Sequence, residues 1–258
     1  MYRAKARING SVNLEEIIVD DSHIIWNGKR YPDETISWQS PVTGAIYGTI
    51  FNFREQLDAM KNKFHEKPYQ AEPNRPILYV KPRNTINTHL NQVEIPAEVN
   101  EVQVNATLGI VIGKNATNIS EEEALDYVLG YTVVNDVTIA HNDFYRPNIK
   151  NKVRDGSCPV GPWIMDCSEV PNPEQLMVWT FKNDELVQVQ NLNDLVRPIS
   201  KLLTDVTEFM TLYKGDMLLV GVPHNPPTAF PGDTIRIEID NVGRLENTFV
   251  QEDGGGQI

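Results

Sequence analysis

Between Val102 and Ile112 the apolar residues Val102, Val104, Ala106, Leu108, Ile110 and Ile112 alternate with Gln103, Asn105, Thr107 and Gly109. No other stretch restricts the possible folds as much. A period of two sends the two sets to opposite faces of an extended chain. The pattern predicts a strand with one buried apolar face and one polar face, and hence a β-rich protein. Gly113-Lys114-Asn115 reads as a turn. Ser120-Glu121-Glu122-Glu123 matches a capping box, in which Ser and the Glu three residues on satisfy amides at a helix start. A helix is expected from there to about Leu129, ended by Gly130. A second strand, Tyr131 to Val134, should lead into Asn135-Asp136. Phe144-Tyr145-Arg146-Pro147 and the basic run Lys150-Asn151-Lys152-Val153-Arg154-Asp155-Gly156 follow.

The remaining chain is punctuated in the same manner. Short alternating runs, Tyr2 to Ile8 and His23 to Trp26, are broken by Asn9-Gly10 and Asn27-Gly28, which favour hairpin turns. They predict a small N-terminal β domain over residues 1–44, with Ser40-Pro41-Val42-Thr43-Gly44 as the junction to a larger domain over 45–258. Phe53, Leu57, Met60 and Phe64 share one face of a short amphipathic helix. Lys67 to Pro76 reads as a surface loop, Ile77 to Val80 as a strand, and Pro171 and Pro173 as a loop before a strand around Met177 to Phe181. Leu195, Ile199, Leu202, Val206 and Phe209 predict a helix from about Leu192 to Leu212 packed on a sheet. Asp216 to Gly221 and Asp233 to Ile239 complete the strands.

Charge and cysteine content exclude several classes of function. With 258 residues and a net charge of −12, the chain can bury a large core but lacks the positive field that nucleic acid or an anionic membrane requires. Cys158 and Cys167 are too few for a disulfide framework and fit no zinc spacing, so two reduced buried thiols are expected. Met1 to Lys5 carries no apolar core, and no run of 18 apolar residues occurs, which points to the cytoplasm. Within this acidic chain Lys81, Arg83, Arg146, Lys150, Lys152 and Arg154 recur inside motifs. They form either a site for a dicarboxylate held by charge-assisted hydrogen bonds or a solvated strip paired to local acids.

With these pieces placed, the sequence resembles the fumarylacetoacetate hydrolase-like superfamily over nearly its whole length. The resemblance is carried by Asn52-Phe53, Lys81-Pro82-Arg83-Asn84-Thr85, Ile110-Val111-Ile112-Gly113-Lys114, Gly130 through Asp136, Lys152-Val153-Arg154-Asp155-Gly156 and Gly161-Pro162-Trp163. Phe144 to Lys150 followed by Arg154-Asp155-Gly156 is most similar to the isomerase/decarboxylase branch of homoprotocatechuate (4-hydroxyphenylacetate) breakdown, in its N-terminal half or N-terminal-type subunit. The resemblance implies a mixed α/β, β-rich sandwich roll with a small N-terminal β domain, and dimer-based assembly. It also implies Mg²⁺ or Mn²⁺ holding an oxo-carboxylate while an enol tautomerises or a C–C bond breaks, since a hard cation polarises the carbonyl and stabilises the enolate.

Residue by residue, the resemblance assigns Lys152 and Asp136 to catalysis. It assigns Lys81, Arg83, Asn84, Arg146, Arg154, Asp155 and Gly221 to substrate, and Asp136, Asn105 and Thr107 to metal. Here the chain departs from the family's pattern. Asn105 and Thr107 stand where that pattern has Glu-x-Glu, removing two negative charges from the metal cage. Gln56 and Ala59 stand where a lid His-Glu pair is expected, Ala140-His141 replaces Arg-Asp, and Val222 replaces a Thr.

Asp136 reads either as a remnant ligand or as a cap of the following turn. His141 and His224 read as surface or capping histidines, and Phe144 and Tyr145 as packing residues. Glu101 or Asp143 remains open as a substitute ligand. Three functions are compatible with these residues. One is an isomerase/decarboxylase acting on 2-hydroxyhepta-2,4-diene-1,7-dioate or 5-oxopent-3-ene-1,2,5-tricarboxylate. Another is a structural or regulatory subunit, as a homodimer or beside a metal-binding paralogue. The last is an acylpyruvate-type hydrolase of the same superfamily.

Overall fold

Two β-sheets sandwich the main core, and the strand predicted first, Ala106–Ile112, lies near the middle of the larger one. The computed structural model describes residues 1–8, 10–141, 144, 146 and 148–253, so Asn9, Asn142, Asp143, Tyr145, Pro147 and the glycine tail lie outside it. Among the described residues the larger sheet has 12 strands. Ten of them run in the order Lys29–Pro32, His23–Trp26, Glu15–Asp20, Tyr2–Ile8, Cys158–Asp166, Val128–Asn135, Ala106–Ile112, Met217–Leu219, Ile46–Ile50 and Ile77–Lys81, while Trp38–Gln39 pairs with Tyr2–Ile8 and Ile86–Thr88 with Cys158–Asp166 off this path. The N-terminal strands thus continue this sheet, through Ala4 opposite Met165 and Ala6 opposite Trp163. A five-stranded sheet, Glu185–Asn191, Met177–Lys182, Thr234–Ile239, Gly243–Gln251 and Gln92–Ile95, covers one face.

The central strand is buried on both faces, not one. Ala106, Leu108, Ile110 and Ile112 enter the main core, while Val111 faces a second cluster with Ile46, Val134, Val160, Ile164 and Met217. Thr107 and Gly109 are buried with them. Burying such a Leu or Ile contributes about 2 kcal/mol, so the two clusters hold this strand in register from both sides. The alternation also breaks earlier than expected. Val102–Gln103 pairs separately with Thr228–Ala229, and the long strand starts only at Ala106.

Two expected helices are shorter. Ser120 Oγ bonds the Glu123 carboxylate instead of an amide, Ala124–Tyr127 forms a single 3₁₀ turn, and the next strand already begins at Val128. Gly130 therefore sits inside a strand, where a Cβ would collide with the Met165 carbonyl of the neighbouring strand. In the second case Pro198 stands at the N-cap and the helix covers only Ile199–Thr207, after a 3₁₀ turn at Leu192–Asp194. Proline lacks the amide needed to continue a helix backwards. Ile199, Leu202 and Val206 are buried as expected, but Phe209 lies beyond the helix and is 61% exposed. The short helix Arg54–Met60 forms as predicted, with Met60 and Phe64 against Phe51 in a third cluster. Cys158 is buried and Cys167 half-buried, both as free thiols. Among the described residues no helix is long and apolar enough to cross a membrane.

Candidate functional site

The ends of several strands of the large sheet meet at Asp136. The carboxylate leaves the end of Val128–Asn135 and is fully buried. Tyr79 and Lys81 approach it from the edge strand Ile77–Lys81, and Lys152 from the short helical turn Ile149–Lys152. Lys81 Nζ lies 2.8 Å from Asp136 Oδ1 and Lys152 Nζ 3.2 Å from Oδ2, while the Tyr79 hydroxyl donates to Oδ2. The Lys81 contact is an ion pair without good hydrogen-bond alignment. Its ammonium instead donates to the Lys152 carbonyl and, at 3.2 Å, to Ser157 Oγ. Burial alone would raise the Asp136 pKa, but the Lys152 and Lys81 charges and the hydrogen bond of Tyr79 reverse this and hold it at about 2. Burial, then the Asp136 charge, pushes the Tyr79 hydroxyl well up, so it stays a donor. Lys152 Nζ also sits 4.2 Å from the centre of the Tyr79 ring and 3.3 Å from Thr138 Oγ1.

Above Lys152 opens a cavity of about 250 Å³, lined in part by Gln56, Gln103, Asn105, Thr138, His141, Phe144, Lys152, Val222 and His224. Gln56 is held there by accepting the Phe51 amide at 2.6 Å. That contact secures Phe51 at φ +60°, a costly conformation for an aromatic residue, with its ring edge-on to Phe64 and Phe144. A second, more apolar groove that Lys152 also borders is lined by Ile50, Ile77, Tyr79, Val80, Phe144, Arg146 and Ile149.

The three expected metal positions adjoin through the backbone but do not form a ligand cage. Asn105 Nδ2 donates to the Asp136 main-chain oxygen at 2.8 Å, and the Asp136 amide donates back to the Asn105 carbonyl at 3.0 Å. Thr107 Oγ1 is turned to the Gly221 carbonyl at 2.5 Å. Neither meets the Asp136 carboxylate, which is already committed to two ammonium groups. Among the described residues no group of three His, Cys, Asp or Glu side chains could hold a metal ion, so Glu101 supplies no substitute cage, and Asp143 lies outside the description. Two neutral side chains and a carboxylate already held by two lysines do not fit a divalent cation, which needs several oxygen ligands with anionic charge among them.

The other expected substrate residues divide into several groups. Lys81 is completely buried as a structural partner of Asp136, so it is not exposed to a ligand. Arg83, Asn84, Arg154 and Asp155 do not reach the cavity. Asn84 Nδ2 bonds Asp155 Oδ1 at 2.6 Å and the Val153 carbonyl at 2.9 Å, while Arg154 pairs with Glu98 at 2.6 Å. This is the alternative of basic residues paired to local acids. Arg146 borders the apolar groove, and Gly221, at φ +146°, contributes its carbonyl to Thr107. Tyr145 lies outside the described residues.

Sequence reasoning missed Tyr79, Gln103 and Thr138, which lie beside or within motifs but face the site only after folding. His141 and His224, expected as surface or capping residues, both line the cavity. Cys158 is no hidden nucleophile, since burial, offset by Lys81, pushes its thiol up to about 12.

Comparison with known proteins adds context to this geometry. Residues 45–250 match the family model described as fumarylacetoacetate (FAA) hydrolase, C-terminal. The chain is 35% identical over 253 residues to a 4-hydroxyphenylacetate degradation bifunctional isomerase/decarboxylase of Salmonella dublin, covering 97% of this chain and 56% of that protein. It spans about half the length of the curated relatives it matches. Among solved structures, a 5-carboxymethyl-2-hydroxymuconate delta-isomerase from Mycobacterium smegmatis superposes with a TM-score of 0.79 at 24% identity, covering 98% of this chain and 100% of that one. A maleylpyruvate hydrolase from Sphingobium, solved with manganese(II) and pyruvate, gives 0.79 at 24% identity, covering 97% and 100%. These two likenesses establish the β-rich fold.

Proposed function

The chain belongs to the fumarylacetoacetate hydrolase family, and from that premise we propose that it serves a 4-hydroxyphenylacetate-type isomerase/decarboxylase system as a unit that leaves the metal-dependent step to a partner. The substrates of that system would be 2-hydroxyhepta-2,4-diene-1,7-dioate and 5-oxopent-3-ene-1,2,5-tricarboxylate. The partner would be a paralogous unit with the intact Glu-x-Glu and Asp set, and the compartment the cytoplasm. The reading is carried by one observation: the Asp136 carboxylate is enclosed by Lys81, Lys152 and Tyr79, while Asn105 and Thr107 bond to main-chain carbonyls.

Enolate formation needs an electron sink and a group that moves a proton within hydrogen-bond reach. In this cavity Lys152 can orient a carboxylate by charge. Gln56 has no proton-accepting group of useful basicity, and Ala59 has none at all. His141 and His224 also line the cavity, but the electron sink is missing from the chain's own residues, which therefore bind and orient and hold the strand ends where a partner could use them.

Turnover of both compounds by the purified chain with Mg²⁺ or Mn²⁺, with and without such a paralogue, tests the reading. The expected outcome is no turnover alone and turnover in the mixture. Metal-dependent turnover by this chain unaided would overturn it.

A further inference from the structure

Charge at the site supports a more specific statement. Lys81 and Lys152 oppose a single carboxylate, Asp136, so the described charged side chains that meet there carry a net charge of +1. The Glu-x-Glu and Asp set implied by the resemblance would place three carboxylates on the same two lysines, a net charge of −1, and a divalent ion would then restore +1. Losing the two glutamates thus gives the metal-free site the charge that the intact set acquires only with its ion. Repulsion from two nearby ammonium groups disfavours a cation here and favours an anion.

The cavity has the remaining features of an anion site. Lys152 Nζ uses one donor on Asp136 and one on Thr138 beside the Tyr79 ring, and its side chain lines the cavity with 14% exposure, so a third donor remains without a hydrogen-bond acceptor among the described residues. The amide-bearing side chains of Gln56, Gln103 and Asn105 line the same space, where neutral donors can meet a carboxylate without adding countercharge. Asp136 holds Lys152 from below and cannot be drawn away, because Lys81 and Tyr79 fix it in turn.

We infer that this cavity is a metal-independent binding site for a small dicarboxylate or 2-oxo-carboxylate anion, held by Lys152 and the surrounding amides. The inference rests on the reading above only for the class of ligand. It concerns binding by this chain alone, so it can fail while the partner-dependent turnover stands, and the reverse also holds.

Calorimetric titration of the full chain with oxalate in EDTA provides the test, repeated with 5-fold higher salt and with Mg²⁺ in place of EDTA. Oxalate should bind in EDTA, with affinity within about twofold of that in Mg²⁺ and weaker at high salt, as expected of a charge-held anion. Lys152→Met should weaken binding at least tenfold, the loss of one charge-assisted contact of about 1.5 kcal/mol or more, and Lys152→Arg should recover part of it. Should Lys152→Met fail to fold, Gln103→Glu, which brings a negative charge to the cavity wall, should weaken oxalate binding at least fivefold. Electron paramagnetic resonance of Mn²⁺ added to the wild-type chain should keep the free-ion signal. The inference is overturned if oxalate binds only when Mg²⁺ or Mn²⁺ is present, if it does not bind at all, if the folded variants bind it as tightly as wild type, or if the chain takes up Mn²⁺ stoichiometrically.

Discussion

Replacing Asp136 by Asn tests whether the buried charge cluster holds the end of the large sheet together. Asn has nearly the same volume and can still accept from Tyr79, so no cavity opens and the change is almost purely one of charge. Two ammonium groups, one of them fully buried, lose their common counter-ion at 2.8 and 3.2 Å. Removing one partner of a buried pair costs about 3–5 kcal/mol, because the other charge is left desolvated and unmatched. For a chain of this size that corresponds to a fall in melting temperature of roughly 10 °C. Lys81→Met should cost about 3 kcal/mol for the same reason, since it leaves Asp136 with Lys152 as its only ammonium partner. The double variant should cost little more than Asp136→Asn alone, so that a double-mutant cycle yields at least about 2 kcal/mol of coupling. Urea unfolding at pH 7, followed by circular dichroism with the slope checked for constancy, measures all three free energies. A cost below about 1 kcal/mol for Asp136→Asn, or additive single costs in the double variant, would refute the view that Lys81 is held structurally by this carboxylate.

Two further outcomes follow from the packing. Gly130→Ala should destabilise the protein by about 1–3 kcal/mol in the same urea assay, because the new methyl group meets the Met165 carbonyl across the sheet; a neutral result would show that the two central strands can separate at little cost. His89 is buried against Trp38 and accepts the Glu246 amide at 2.9 Å, and burial followed by the Arg244 charge lowers its pKa from 6.5 to about 4. The unfolded chain therefore takes up the proton first, and stability present above pH 6.5 is lost as pH falls toward 4, by up to roughly 3 kcal/mol. His89→Gln should flatten that part of the stability profile, and an unchanged slope between pH 6.5 and 4 would reject the assignment. The lowered pKa of Asp136 acts in a separate window, its contribution being lost only from about pH 3.8 down to 2.

Short-range pattern located most strands correctly. Period-two alternation and β-branched runs marked the strands around Ala106–Ile112, Ile77–Lys81 and Thr234–Ile239, since those signals arise from neighbours within one segment. The helical expectations erred where local competition decided: Ser120 bonded Glu123 rather than an amide, and Pro198 cut the second helix. Sequence also did not reveal that the polar face of the central strand is buried. That depends on the pairing of Ala106–Ile112 with both Val128–Asn135 and Met217–Leu219 and on what covers the second face, including Val42 and Ile46.

By itself the sequence determined the β-rich family fold, and through the resemblance it set the expectation that Asn105 and Thr107 stand at two acidic metal positions beside Asp136, Lys81 and Lys152. It could not assign roles to those residues, because each role depends on partners 14 to 114 positions away in the chain. Tertiary structure decided that Lys81 neutralises Asp136 instead of meeting a ligand, that Arg154 is drawn to Glu98, and that His141, His224 and three amide side chains share the cavity above Lys152. The physical reason is that charge acts through space: one carboxylate between two ammonium groups is a cation-repelling site only once the sheet has closed and excluded water around it.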